Sequence, residues 1–255
     1  MNNTKGLSIS VFFPAYNDEK SIPGLVTAAI AVLREHASDF EVIVVNDGSQ
    51  DGTAAALRVL EKQYQPHLRV VTHPQNRGYG AALRSGFAAA RKEFVFYTDG
   101  DGQYDVSELP RLIGLMRADV GLVNGYKLER HDPGHRVAIG FVYNRFARWL
   151  FGVRIRDIDC DYRLIRRLAL NDAQLQSSSG TICVELVRMI ELSGWGVVET
   201  GVHHYARLHG RSQFFRLPSL LTTLSQLLKL YWRIVVRAPH PSAEPQIAKR
   251  SAGVR

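Results

Sequence analysis

At 255 residues and 28.6 kDa the chain is long enough to bury a sizeable core without disulfides or metal, which excludes a small stapled scaffold. A content of 45% hydrophobic and 22% charged residues excludes a disordered chain and a polytopic membrane protein. The net charge of +8 is uneven: residues 1–126 hold 12 Lys and Arg against 14 Asp and Glu, whereas residues 127–255 hold 20 against 10, so a near-neutral half precedes a cationic one. Such a half is either a solvated basic surface or a surface for a phosphate-rich partner, whether lipid headgroup, diphosphate or nucleic acid.

The first apolar run, 9–13, is shorter than the core of a secretion signal and reads as a strand, so the expected location is cytoplasmic. Short β-branched and aromatic runs predict strands at 7–13, 40–45, 68–72, 94–98 and 120–123, with helices at 22–36, 53–64, 79–91 and 106–117 between them. This βαβαβαβαβ order predicts a mostly parallel, doubly wound α/β sheet whose ligands bind beyond the carboxyl ends of the strands. The second half is less regular. It predicts a polar loop at 124–135, a helix at 137–151, an Asp-rich turn, a helix at 184–192 and a strand at 197–205. Residues 214–237 repeat Leu217, Leu220, Leu221, Leu224, Leu227, Leu228, Tyr231 and Ile234 at three- and four-residue steps, the pattern of one amphipathic helix. Only residues 217–228 are free of charge, too few to span a bilayer. The helix is therefore expected to lie in a membrane interface or against a partner's helix, with packing on the chain's own core as the alternative. Residues 238–255, with three prolines, read as a flexible tail.

Three predicted strands run into acidic or small polar loops on one edge of the sheet. The first enters Pro14-Ala15-Tyr16-Asn17-Asp18, the second Asn46-Asp47-Gly48-Ser49, and the fourth Asp99-Gly100-Asp101-Gly102-Gln103. Two carboxylates spaced Asp-x-Asp at the end of a buried strand need a cation between them, and hard oxygen donors select Mg²⁺ or Mn²⁺. Mg²⁺ takes few protein carboxylates and completes its shell with substrate phosphate, which implies a diphosphate substrate. A calcium loop of EF-hand type is excluded by register, since Tyr104 stands where Gly is required and Pro110 where Glu is required. Asp47, ending a strand, is placed to accept hydrogen bonds from a ribose or base, and Tyr16 to offer an aromatic face. The run Asn76-Arg77-Gly78-Tyr79-Gly80 opens a helix but lacks the third glycine of a dinucleotide fingerprint, and no P-loop is present. Cys160 and Cys183, with 22 residues between them and no nearby Cys or His cluster, are expected to be free thiols.

Taken with 157–164, these motifs resemble the family 2 inverting glycosyltransferases of GT-A fold, and within them the dolichyl- and polyprenyl-phosphate sugar synthases. The resemblance covers about 7–212 and implies a metal-dependent enzyme. Such an enzyme moves one sugar from a nucleotide-sugar donor such as GDP-mannose or a UDP-hexose to a polyprenyl phosphate acceptor at the inner membrane face. It implies a catalytic domain over 1–212, divided into a donor half at 1–126 and an acceptor half at 127–212, followed by the interfacial helix at 213–237. It assigns Pro14, Tyr16, Asp18, Asp47, Arg77 and Asp99 to the nucleotide, Asp101, Gln103 and Asp99 to the metal, and Lys127, Arg136, Arg207 and Ser212 to the acceptor phosphate. Asp101, Asp99 and Asp157 are then the catalytic candidates. Lys127 replaces a usual Arg, losing bidentate phosphate geometry, and Asp18 replaces a usual Glu. A lipid monophosphate is already anionic and needs no base, whereas a sugar hydroxyl would need one. Asp157, Asp159, Asp161 and Glu185 are the available carboxylates, with salt bridging to nearby arginines as their alternative role. Transfer to a glycan or glycolipid hydroxyl is the competing enzyme reading, and a basic nucleic-acid-binding module the competing class. A membrane-spanning partner protein fits the terminal helix equally. Cutting the chain after Ser212 is expected to abolish lipid turnover and leave donor binding intact.

Overall fold

The structure is a computed structural model that describes residues 6–129, 134–207 and 217–237, with the side chains of 135–139, 217–222 and 224 outside that set. Strands β1 (Ser8–Ala15), β2 (Asp39–Asn46), β3 (Leu68–Thr72) and β4 (Phe94–Thr98) alternate with helices α1 (Ile22–His36), α2 (Thr53–Tyr64) and α3 (Tyr79–Ala89). β1, β4 and the second half of β2 are almost wholly buried because both faces are covered, as inner parallel strands require, whereas the edge strand β3 is only partly buried. Ile9, Val11, Phe13, Val42, Val44 and Phe96 enter one core with α1, while Phe12, Ile43, Val45, Val95 and Tyr97 enter a second on the opposite face with α3. β1 pairs in parallel with β2 and with β4, Ala15 opposite Asn46 and Phe12 opposite Tyr97, so the ends of all three strands share one edge.

With β5 (Val120–Lys127), β6 (Tyr162–Arg166) and β7 (Gly196–Val202), the seven-stranded sheet has the order β3-β2-β1-β4-β6-β5-β7. β6 (Tyr162–Arg166), which the sequence reading treats as part of an Asp-rich turn, lies antiparallel between β4 and β5. Its pattern is hidden by Arg163, a fully buried arginine. The guanidinium donates to Asn124 Oδ1 at 2.7 Å, to the Tyr97 hydroxyl at 2.9 Å and to the Ile158 carbonyl, which satisfies a charge the interior would otherwise reject. Helix α6 (Arg167–Ala173) follows and is likewise absent from the sequence reading.

Other bounds shift. The 106–117 segment is a 3₁₀ turn at Val106–Glu108 and a short α4 (Leu109–Ile113), with Pro110 in its first turn where no N–H is needed. β5 (Val120–Lys127) reaches into the expected polar loop, α5 spans Gly134–Phe151, α7 Ile182–Leu192 and β7 Gly196–Val202. Cys160 and Cys183 are buried free thiols, and burial pushes Cys160 up to about 12.

α8 (Leu217–Tyr231) continues as a π-helical turn, Trp232–Val236. Of the apolar stripe read from the sequence, Leu227 and Ile234 are buried and Leu228 is exposed. Leu227, Leu230 and Ile234 are buried in the second core, a docking worth about 1.5–3 kcal/mol per side chain. Leu228, Trp232, Val235 and Val236 stay exposed. Among the described residues no helix is long and apolar enough to cross a membrane.

Candidate active site

The edge where β1, β2 and β4 end is also where antiparallel β6 begins. Thr98 pairs with Tyr162, so the residues flanking that pair, Asp99 and Asp161, emerge side by side. Gly100 continues the β4 loop onto the end of β1, donating its N–H to the Pro14 carbonyl at 3.1 Å. A Cβ at Gly100 would stand 2.6 Å from that oxygen, so any side chain would push the loop away from Pro14 and Asp18. Asp18 is held in turn by the Tyr16 N–H, 2.9 Å from Oδ2.

The result is a crowd of carboxyl groups. Burial, and then the neighbouring Asp161 and Asp101, raise Asp99 well above the usual carboxylate range. Burial also raises Asp101, and burial with Asp101 nearby lifts Asp18 to about 6. Two groups work against this. The Tyr79 hydroxyl donates to Asp99 Oδ1 at 2.8 Å; burial and the nearby Asp161 and Asp99 keep that phenol protonated. On the other side the Arg207 guanidinium donates to Asp101 Oδ2 and, at 3.3 Å, to Gln103 Oε1. Gln103 also gives its amide to the Tyr205 carbonyl at 3.0 Å, while the Tyr205 N–H returns to the Gln103 carbonyl at 2.8 Å. The segment after β7 is thereby clasped over the Asp101 loop.

Hard oxygen donors whose like charge is only partly offset by Arg207 and the Tyr79 hydroxyl fit a divalent cation. Among the described residues no three His, Cys, Asp or Glu side chains gather closely enough to cage one. The arrangement therefore suits an ion held by one or two carboxylates, with its remaining positions filled from outside.

Asp47, beside this crowd, is buried and fully engaged. Its Oδ1 accepts from His73 Nδ1 at 2.6 Å and from the Arg77 N–H at 2.9 Å, and its Oδ2 from the Gly78 N–H at 3.0 Å. It ties the 73–78 loop to the end of β2. A cleft of about 360 Å³, lined by Asn46, Ser49, Thr72, His73 and Asn76 among others, opens next to it.

Asp157, one of the three catalytic candidates, is buried against the Lys127 ammonium at 3.8 Å, an ion pair of the kind named as its alternative role, and Lys127 also donates to the Asp159 carbonyl at 2.8 Å. Burial disfavours that ammonium, yet Asp157 and its neighbours outweigh burial and hold its pKa above the usual value. The carboxylate that reaches the Asp99 rim is Asp161, which accepts from the Tyr97 hydroxyl at 3.3 Å and from the Cys183 thiol at 3.2 Å. Glu185 pairs with Arg233. The Arg136 side chain and Ser212 lie outside the described residues.

Sequence reasoning missed His73 and the contact of Tyr79 with Asp99, and it named Asp161 only as one of four available carboxylates. Tyr79 was visible only as a helix-opening residue, and Asp161 needed the register of a strand that was not predicted.

A sequence profile described as glycosyl transferase family 2 matches residues 10–173. The chain belongs to glycosyl transferase family 2. Two relatives are undecaprenyl-phosphate 4-deoxy-4-formamido-L-arabinose transferases. The one from Aeromonas hydrophila is 29% identical over 214 residues (84% of this chain, 65% of the relative), and that from Pseudomonas fluorescens SBW25 is 30% identical over 222 (85% and 63%). A dodecaprenyl-phosphate galacturonate synthase from Rhizobium johnstonii is 28% identical over 225 residues, covering 82% of this chain and 62% of that one. The chain thus spans just under two thirds of the length of these relatives. The family fold is shared with glucosyl-3-phosphoglycerate synthase of Mycobacterium tuberculosis, crystallised with Mn²⁺, UDP and glucosyl-3-phosphoglycerate, at a TM-score of 0.66 and 21% identity over 89% of this chain and 80% of that one.

Proposed function

We propose that this family 2 chain transfers a single sugar, with inversion, from a nucleoside-diphosphate sugar to a polyprenyl phosphate. The observation that carries the reading is the place of Asp101: it stands where a rim of four aspartates meets Arg207, so an acidic donor side and a cationic acceptor side share one residue. Relatives named for polyprenyl-phosphate substrates support the acceptor.

Asp101 and Asp99 would hold Mg²⁺ or Mn²⁺, with Gln103 beside them; the bound cation supplies charge neutralisation for the departing diphosphate. Tyr79 orients Asp99, and the Gln103 N–H, 3.1 Å from Oδ1, orients Asp101. Pro14, Tyr16, Asp18 and the Asp47-anchored loop with Arg77 form the nucleoside side. Arg207 offers a fork of donors to the acceptor phosphate, with Arg136 and Ser212 proposed to join it. That phosphate attacks as an anion, so no general base is required. The pairing of Asp157 with Lys127 and of Glu185 with Arg233 agrees with this.

Two helices of the second half carry exposed apolar residues that would suit a lipid acceptor. On α5, Phe141, Val142, Phe146 and Trp149 recur on one face, with Trp149 77% exposed and Arg145 and Arg148 exposed among them. Leu228, Trp232, Val235 and Val236 add to it from the C-terminal helix, which contacts α5 through the Phe151 and Tyr231 rings at 6.2 Å. An apolar face edged by arginines suits a bilayer interface. On this reading the cationic half serves lipid phosphate and anionic headgroups rather than nucleic acid, and the enzyme works peripherally at the cytoplasmic membrane face.

The test is transfer itself. Purified protein, Mn²⁺, short polyprenyl phosphates and a panel of radiolabelled nucleotide sugars should yield one acid-labile lipid-phosphate sugar. Label appearing only on glycan or glycolipid hydroxyls would overturn the acceptor, and label moving to nothing would overturn the activity.

A further inference from the structure

Four consecutive backbone N–H groups in the loop before α7, at 176–179, are all accepted by side chains. Glu185 takes those of Gln176 and Ser177, each at 2.8 Å. Gln226 of α8 takes those of Ser178 and Ser179 at 3.2 and 3.1 Å, takes the Ser179 hydroxyl at 2.8 Å, and donates to the Ser178 hydroxyl at 2.9 Å. Glu185 is itself gripped by Arg233 of the π-helical turn. The C-terminal helix thus fixes this loop at two points.

The loop in turn lies on the opening of α3. The Ser178 carbonyl accepts from the Gly80 N–H at 3.0 Å, and a Cβ at Gly80 would stand 2.6 Å from the Ser177 carbonyl. Only glycine permits that approach. Between Gly78, whose N–H goes to Asp47, and Gly80 stands Tyr79, whose hydroxyl goes to Asp99.

We infer that Gln226 is a positioning residue for the donor site, acting through 177–179 and 78–80 on Tyr79 and Asp99. The inference rests on the reading that this rim takes the nucleoside diphosphate. It deepens that reading by making the helix that carries the exposed apolar face also the brace of the donor rim. In place of the separation of roles expected from the sequence, loss of α8 weakens donor binding as well as lipid turnover.

The experiment is calorimetric titration of the full chain with nucleoside diphosphate and Mn²⁺. Gln226→Ala should weaken binding by about tenfold and raise the donor KM, with the polyprenyl phosphate KM unchanged. Gln226→Glu keeps an acceptor for both N–H groups and should stay within about threefold of wild type. In wild-type protein, nucleotide binding should slow amide exchange at 80 and 176–179. A folded Gln226→Ala that binds like wild type overturns the inference, as does exchange at 176–179 that ignores nucleotide. Wild-type protein that binds no nucleoside diphosphate overturns the donor reading and this inference together.

Discussion

The two sides of the ligand edge solve opposite electrostatic problems. Around Asp47 every charge has its counterpart: one carboxylate, one histidine ring and two backbone N–H groups close on each other and leave a rigid loop beside a cleft. Around Asp99 and Asp101 the carboxyls of Asp18 and Asp161 crowd in, and burial with mutual repulsion raises Asp18, Asp99 and Asp101. Arg207 and a tyrosine hydroxyl are the counterweights there. A satisfied cluster stores shape and an unsatisfied one stores affinity for a cation, so the first side suits recognition and the second suits chemistry.

The comparison breaks most severely at Asp101. Asp101→Asn should lower transfer by about 10³-fold with the circular dichroism spectrum unchanged, since it removes an electrostatic element of the reacting site rather than a core contact. Transfer at the wild-type rate would merge the two sides. On the other side, Asp47→Ala should act on stability first. It leaves His73 and two N–H groups without their acceptor, an expected loss of about 3 kcal/mol in denaturant unfolding, with activity falling as a consequence.

Arg207→Gln sharpens the contrast: with the internal cation gone, Mn²⁺ should bind several-fold more tightly to the free enzyme while the KM for lipid phosphate rises about tenfold. A parallel rise in both constants would contradict the assignment of Arg207 to the acceptor.

The pH dependence is expected to be smaller. Asp18 has its folded pKa raised from 3.8 to about 6, so between those values the folded protein binds more protons than the unfolded one, and this group's contribution to stability falls as pH rises. A cation on Asp99 and Asp101 would favour the ionised form of the neighbouring Asp18, so Mn²⁺ affinity should decline as pH drops through about 6. Constant affinity across that window would show that Asp18 does not feel the ion. The smallest effect on soluble chemistry belongs to the apolar face. Phe146→Ser with Trp149→Ser should reduce sedimentation with anionic vesicles several-fold and leave nucleotide binding unchanged.

The parallel half of the sheet was legible because its strands are buried on both faces and punctuated by Asn, Asp and Gly. The acidic rim was legible for the same reason, since Asp99 and Asp101 follow directly on such a strand. What stayed hidden depended on long-range pairing. β6 reads as a polar stretch because Arg163 sits in it, and its charge is satisfied by Asn124 and Tyr97, 39 and 66 residues away. Without β6, Asp161 cannot be placed beside Asp99. The C-terminal stripe was legible as a helix, but its periodicity says only that an apolar face exists. That Leu227, Leu230 and Ile234 spend it on the core, leaving Trp232 and its neighbours outside, is decided by tertiary packing.

The most direct measurement is a pair of calorimetric titrations of nucleoside diphosphate, with and without Mn²⁺, into wild type and Asp101→Asn. Tight, Mn²⁺-dependent binding by wild type and its loss in the variant are the expected results. Binding of equal strength in all four combinations would contradict the assignment of the aspartate rim to a cation and a diphosphate.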